Sequence, residues 1–225
     1  MSFHFEAGGR SLPQSRRGDR DTQMGSTKHF TGCIVMGDGA GFRVGTESHL
    51  EAQGALILSA RPTTLDLVEQ VKFWWYDEDG EYHSHYIDLV TTQVDGKIVG
   101  YAVRPKEKAS FDYIKTLARI KEQAIHQCFL DDLRLFTEED VCPIEWHNAQ
   151  LLHAGRRPDC FADPVAQDVA ARLVGVTTVG NLVNQMGLEG MGFRAVVRLI
   201  RSGHLEMVRH ERIEHTSEVF KARVI

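Results

Sequence analysis

Three short runs hold the residues that could do chemistry. They are Ser48-His49-Leu50-Glu51, Tyr86-Ile87-Asp88-Leu89-Val90 and Tyr101-Ala102-Val103-Arg104-Pro105. A carboxylate from a helix, a second from a strand and a cation from the next strand are the parts of a divalent-metal centre for phosphodiester cleavage. The carboxylates hold the ion, the ion polarises the phosphate and activates a water, and the cation steadies the developing charge. Magnesium prefers oxygen donors and keeps several waters, so two or three acids suffice. Glu51 and Asp88 are the expected metal ligands, and Arg104 is the expected catalytic cation. The cofactor would be Mg²⁺ or Mn²⁺. Glu47, four residues before Glu51, would share its helical face. Its plainer role is to favour the helix dipole.

The elements that must position these groups follow from the hydrophobic pattern. Thr46 is the expected N-cap of a helix from Glu47 to Ala60, with Leu50, Gly54, Leu56, Ile57 and Leu58 on its buried side. Arg61-Pro62 ends it. An aromatic strand over 67–76 contains Val68, Val71, Phe73, Trp74 and Trp75. It turns at Asp77-Glu78-Asp79-Gly80 into a return strand, Glu81 to Val90. A second turn at Asp95-Gly96 leads to an apolar strand, Lys97 to Val103, suited to a central position and stopped by Pro105. His83 and His85 alternate on the return strand and point to one face. A two-histidine metal site there has no evident third ligand. Gly37, Gly39 and Gly41 lack a Gly-Lys-Ser/Thr ending, so they read as a turn rather than a phosphate loop. Residues 111–129 repeat at helical spacing through Phe111, Ile114, Leu117, Ile120, Ala124 and Cys128, and should cover one sheet face. A strand at Leu133–Phe136, a helix start at Thr137-Glu138-Glu139 and a helix carrying Trp146, His147 and His153 follow.

Beyond Arg156-Arg157-Pro158-Asp159, read as a linker, the pattern changes. One helix opens at Asp163-Pro164, and a second, Val179 to Met186, is capped by Thr177-Thr178. A turn runs from Gly187 to Gly192. A third helix, Phe193 to Ser202, is closed by Gly203, and a short hairpin follows. Three helices and a hairpin are the winged-helix order. Arg194, Arg198 and Arg201 would form a basic stripe on the third helix, suited to contact DNA phosphates. The expected division is a tail at 1–30, a catalytic-type domain at 31–158 and a winged-helix-like domain at 159–225.

Composition sets the outer limits. The chain has 225 residues, 42% of them hydrophobic and 25% charged, which are ordinary globular values. No apolar run approaches the ~20 residues that span a bilayer. Residues 1–30 lack a signal pattern and read as a flexible or partner-bound tail. The four cysteines (Cys33, Cys128, Cys142, Cys160) include no Cys-x-x-Cys pair. That argues against a structural zinc or a disulfide framework and fits a reducing cytoplasm. Residues 31–105 hold five Lys/Arg against eleven Asp/Glu, or −6, and residues 163–225 hold eight against seven, or +1. A protein-wide basic field for nucleic acid is therefore absent, and any DNA contact must use local patches or a basic partner.

The order of these motifs resembles the TnsA-type endonuclease subunits of cut-and-paste transposons. The resemblance rests on Ser48-His49-Leu50-Glu51 with Leu56-Ile57-Leu58, on Val68-Glu69-Gln70, on His85 to Val90 and on Tyr101 to Pro105. It covers roughly residues 45–155 and, more loosely, 163–220. It implies an α/β fold with a restriction-endonuclease-like mixed sheet flanked by helices, followed by a small winged-helix-like α+β domain. It also implies a DNA-cutting or nicking role beside a transposase, in a mobile element or phage. Glu51 and Asp88 match the family's acids. Ala102 stands where an acid or amide is expected, and Arg104 where a lysine is. Alanine cannot bind metal, and a planar guanidinium cannot fill every role of an ammonium. The alternative is a catalytically degenerate relative that binds DNA, a recombinase or phage assembly proteins as an assembly factor.

Overall fold

The computed structural model describes residues 11–21 and 30–222. Chain contacts divide the protein into two units. One runs through Met36 and from Ala40 to Cys142; the other takes Gly37–Gly39 and the chain from Pro143 on.

The first unit is built on a mixed four-stranded sheet. Its strands are β3 (Thr64–Tyr76), β4 (Tyr82–Gln93), β5 (Ile98–Val103) and β6 (Asp132–Phe136), in that spatial order. The first three run antiparallel, and β6 lies parallel to β5. The two hairpin turns carry Gly80 at φ 83° and Gly96 at φ 86°, the left-handed backbone that the two Asp-Gly pairs supply. A separate hairpin of β1 (Gly32–Met36) and β2 (Phe42–Thr46) precedes the sheet. Helix α1 (His49–Ala60) covers one sheet face, packing Ala55 and Leu58 with Leu67, Leu89, Val99 and Tyr101. Helix α2 (Phe111–His126) covers the other, packing Leu117, Ile120 and Ala124 with Phe73, Ile87, Val90 and Ala102.

These two layers expose an irregularity. Ile87 and Leu89 are two apart on β4 yet belong to opposite layers, as do Leu67 and Val71 on β3. Regular pleating keeps residues two apart on one face. The alternation is reset between them, at Gln70 and Asp88, which drop out of the register between the Glu69–Leu89 and Val71–Ile87 pairs. Gln70 has φ 50°, a left-handed backbone rare for a residue with a Cβ.

Helix α1 starts later than expected. Its N-cap is Ser48, whose hydroxyl accepts the Glu51 amide. Thr46 is instead the fully buried last residue of β2. The reciprocal bonds between Ser48 and Glu51 fix the start there. Glu47 therefore precedes the helix and does not share its face with Glu51.

Residues 11–21, expected in a flexible tail, are packed along the edge of the sheet. Gln14 bridges to Phe42, Arg17 forks onto Asp66 at 2.7 and 2.8 Å, and the Asp19 amide donates to the Gln70 carbonyl at 3.0 Å. Gly18 is required there, because an added Cβ would lie 2.2 Å from the Glu69 carbonyl oxygen. The remainder of the expected tail, except Phe30, lies outside the described residues.

The second unit holds α3 (Pro143–Ala154), α4 (Ala162–Ala171), α5 (Val179–Met186) and α6 (Glu189–Arg201). A small sheet of β7 (Val176–Thr178), β9 (Glu218–Lys221) and β8 (Leu205–Met207), in that order, completes it. Helix α3 thus belongs here, whereas the sequence pattern placed it ahead of the domain linker. Helix α6 starts four residues before the expected Phe193, taking Gly192 into its first turns. Gly192 is buried against Val183 and Met186 of α5, so close helix packing accounts for a residue that reads as a turn.

Candidate active site

Glu51 and Asp88 lie near enough for the charge of Asp88 to act on Glu51. Glu51 is buried at the start of α1, 7% exposed. Its carboxylate accepts the Glu47 amide at 2.9 Å and the Ser48 hydroxyl at 2.9 Å. Asp88 sits at the point where β4 changes faces. Its carboxylate accepts the Val103 amide of β5 at 2.7 Å and the Gln70 side-chain amide at 3.2 Å.

Burial pushes both acids up, Glu51 to about 7 and Asp88 to about 6. For Glu51, the charges of Asp88 and Glu47 add to the burial, while the Glu47 amide and the Ser48 hydroxyl oppose it. For Asp88, the Val103 and Gln70 bonds and the charge of Arg20 oppose it. The two acids titrate as a coupled pair, with the charge of Asp88 favouring the protonated form of Glu51.

The cation at this centre comes from a part of the chain that the motif reading did not consider. Arg20 donates from one Nη2 to Glu47 at 2.8 Å and to the Gln70 side-chain oxygen at 2.8 Å. Its guanidinium lies 5.0 Å from the centre of the Tyr86 ring. Its Nε is buried and has no hydrogen-bond partner among the described residues. Gln70 thus ties Arg20 to Asp88, with its amide on the acid and its oxygen on the guanidinium. The strained backbone of Gln70 aims its carbonyl at Asp19 and its side chain into this network. Nothing in the local pattern of residues 11–21 marks Arg20 apart from Arg16 and Arg17. Its role depends on the strap's path beside β3.

Arg104 is placed differently. Its guanidinium stacks over Tyr113 of α2 at 4.0 Å. It helps push neighbouring His85 down, after burial, and His85 Nε2 is buried without a hydrogen-bond partner. Burial, then the charge of Asp88, pushes Tyr113 up. Arg104, His85 and Tyr113 form a cluster on the α2 side. Ala102 is fully buried in the apolar layer of that side. His83 is engaged elsewhere, with Nε2 2.7 Å from Asp77 and its ring against Trp75.

The three arginines of α6 have different surroundings. Arg198 pairs with Asp163 of α4 at 2.6 Å and is mostly buried; Arg201 pairs with Asp38. Arg194 is exposed.

Among the described residues, no group of three or more His, Cys, Asp or Glu side chains is arranged to hold a metal. The donor set that does converge is two carboxylates. Their raised proton affinity is the signature of buried anions short of positive charge, and an oxygen-seeking divalent ion would supply that charge. The chemistry of Glu51 and Asp88 therefore fits Mg²⁺ or Mn²⁺, with water completing the shell. No family model matches the chain, and no curated protein matches it.

Proposed function

We propose that this protein is a nuclease-fold DNA-nicking subunit of the TnsA type, using one divalent ion held by Glu51 and Asp88. The observation that carries the reading is the buried meeting of those two acids, one from a helix start and one from a strand, beside an arginine. The mixed sheet between two helices supports a restriction-endonuclease-like core. The run of α4, α5 and α6 with a three-stranded sheet supports a winged-helix-like partner module. The motif resemblance supports a transposase or recombinase as the protein partner.

The bound ion would polarise the scissile phosphate and lower the pKa of its water. The chain's own residues do the rest. Gln70 and the Val103 amide orient the Asp88 carboxylate, and Ser48 and the Glu47 amide orient Glu51. Arg20 offers its Nε–H to a phosphate oxygen, the part that the motif assigns to a strand cation. Arg104, stacked on Tyr113, holds the α2 side.

The test is nicking of supercoiled plasmid in Mn²⁺ by the full chain, Asp88→Ala and Arg20→Ala. The expectation is nicking by the full chain, none by Asp88→Ala and a large loss in Arg20→Ala. Equal nicking by all three would assign the activity to a contaminant and sink the proposal. A second reading is favoured by buried Ala102 and by Arg104 lying against Tyr113. The fold would then be kept as a DNA- or recombinase-binding assembly factor without cleavage. An inert full chain that still binds DNA would support it.

A further inference from the structure

Beyond the point where β3 and β4 change faces, the described residues cover the hairpin on one side only. Phe73, Trp75 and Ile87 pack toward α2. β5 pairs with β4 only from Leu89 onward. The opposite side carries the paired residues Lys72 and Tyr86, then Trp74 and Ser84, then Tyr76 and Tyr82. Three large aromatics lie open there: Trp74 is 42% exposed, Tyr76 52% and Tyr82 55%. They are ordered against one another. Trp74 stacks on Tyr82 with ring centres 4.9 Å apart, and Tyr76 lies 4.7 Å from Tyr82.

Cations border the rings. The Lys72 ammonium sits 4.2 Å over Trp74 and 5.7 Å from Tyr86, whose other neighbour is Arg20. Two of the four acids of the hairpin tip are engaged elsewhere. Asp77 binds the amides of Asp79 and Glu81 and the His83 ring, and Glu78 pairs with Lys115 and Arg119 of α2. The row of groups starts at the Arg20–Gln70–Asp88 network and ends at Tyr76. It combines flat apolar rings with positive charge, in one line with the acids.

We propose that this face binds a nucleic-acid strand with unpaired bases and leads it to the Glu51–Asp88 centre. The inference rests on the nicking proposal for the direction of the strand, but not for its binding. A ligand that complements both features must present anionic groups and exposed π-faces along one line. A single strand does so, whereas a duplex hides its base faces in the stack. Trp74 and Tyr82 would meet bases, and Lys72 and Arg20 would meet phosphates. The acidic balance of this region makes the local cations and rings decisive, because no general basic field could hold the strand.

The experiment uses the full chain with a fluorescent oligothymidylate and a matched duplex, read by anisotropy in EDTA so that no metal-dependent cleavage intervenes. Single strand should bind more tightly than duplex. Trp74→Ala and Tyr82→Ala, both open surface positions, should weaken single-strand binding ~10-fold to ~100-fold, the range of one lost base stack. Lys72→Ala should reduce the salt slope of log K by ~0.7, one phosphate contact on a single strand. Equal affinity for both probes, or unchanged affinity in both aromatic variants, overturns the proposal. So does a self-associated chain, seen by sedimentation, that Trp74→Ala dissociates while oligothymidylate does not compete. The two proposals fail separately. A chain that binds single strands but never nicks plasmid loses only the nicking reading. One that nicks plasmid but ignores single strands loses only this one.

Discussion

Replacing Glu51 with glutamine should stabilise the protein above neutral pH. Glutamine keeps the shape: its oxygen can accept the Glu47 amide as the carboxylate does now, and its amide can donate to Ser48, reversing the present bond in which the Ser48 hydroxyl donates to Glu51. What it removes is the cost of ionising a buried acid. In the folded chain Glu51 is raised from 4.5 to about 7. Between those values the folded state binds more protons than the unfolded one, so wild-type stability falls as pH rises through this window and levels off above it. At ~1.4 kcal/mol per pKa unit the full effect approaches ~3 kcal/mol. Repulsion from Asp88 is part of that shift, so the two sites are not additive. Urea denaturation at pH 4.5 and pH 8.5 measures it. The variant should match or fall below wild type at the lower pH and exceed it by ~2–3 kcal/mol at the higher one. Mn²⁺ should raise the wild-type midpoint at pH 8.5 and leave the variant nearly unmoved. A stability difference that is the same at both pH values would refute the assignment of Glu51 as a buried, charge-starved acid.

Arg20→Ala removes a charge that holds Asp88 down, so the acidic limb of any Mn²⁺-dependent nicking should move to higher pH, a shift that a purely structural loss would not give. Gly18→Ala forces a Cβ against the Glu69 carbonyl and should cost ~1–3 kcal/mol, with faster proteolysis of residues 11–21. Ala102→Glu places a carboxylate in the layer formed by Phe73, Ile87 and Leu117, and thermal melting should show a loss of ~2 kcal/mol or more. Arg198→Ala strips the partner from Asp163 and should cost ~1–3 kcal/mol, whereas Arg194→Ala should stay within ~0.5 kcal/mol. If the α6 stripe binds duplex DNA, Arg194 alone among the three should lower the salt slope without a change in melting temperature.

Much of the first unit was readable because its signals are local. The two Asp-Gly turns, the aromatic run from Lys72 to Tyr76 and the helical spacing from Phe111 to Cys128 each name their element without reference to the rest. Four things were not. The face change at Gln70 and Asp88 breaks the period-of-two rule from which strand faces are inferred, and no residue there is a glycine that would flag it. Arg20 reaches the centre through a segment without hydrophobic periodicity, so its position depends on contacts with residues 47 and 70 that sequence distance conceals. The α6 stripe was correct as a row on a helix. Its charges read as free to contact DNA phosphates because Asp163 and Asp38, which pair with Arg198 and Arg201, lie 35 and 163 residues away. The N-cap shifted from Thr46 to Ser48 because both fit the rule, and only Ser48 is answered by a glutamate three residues on.

Where β3 and β4 trade sides, one position on each strand is released from both oily layers. Gln70 and Asp88 occupy those two positions. Neither side chain belongs to an apolar cluster, whereas Ala102, on the neighbouring strand, is enclosed in one. What holds the crossover together is therefore a set of polar bonds to Arg20 and to the Val103 amide, and neither oily layer supplies it.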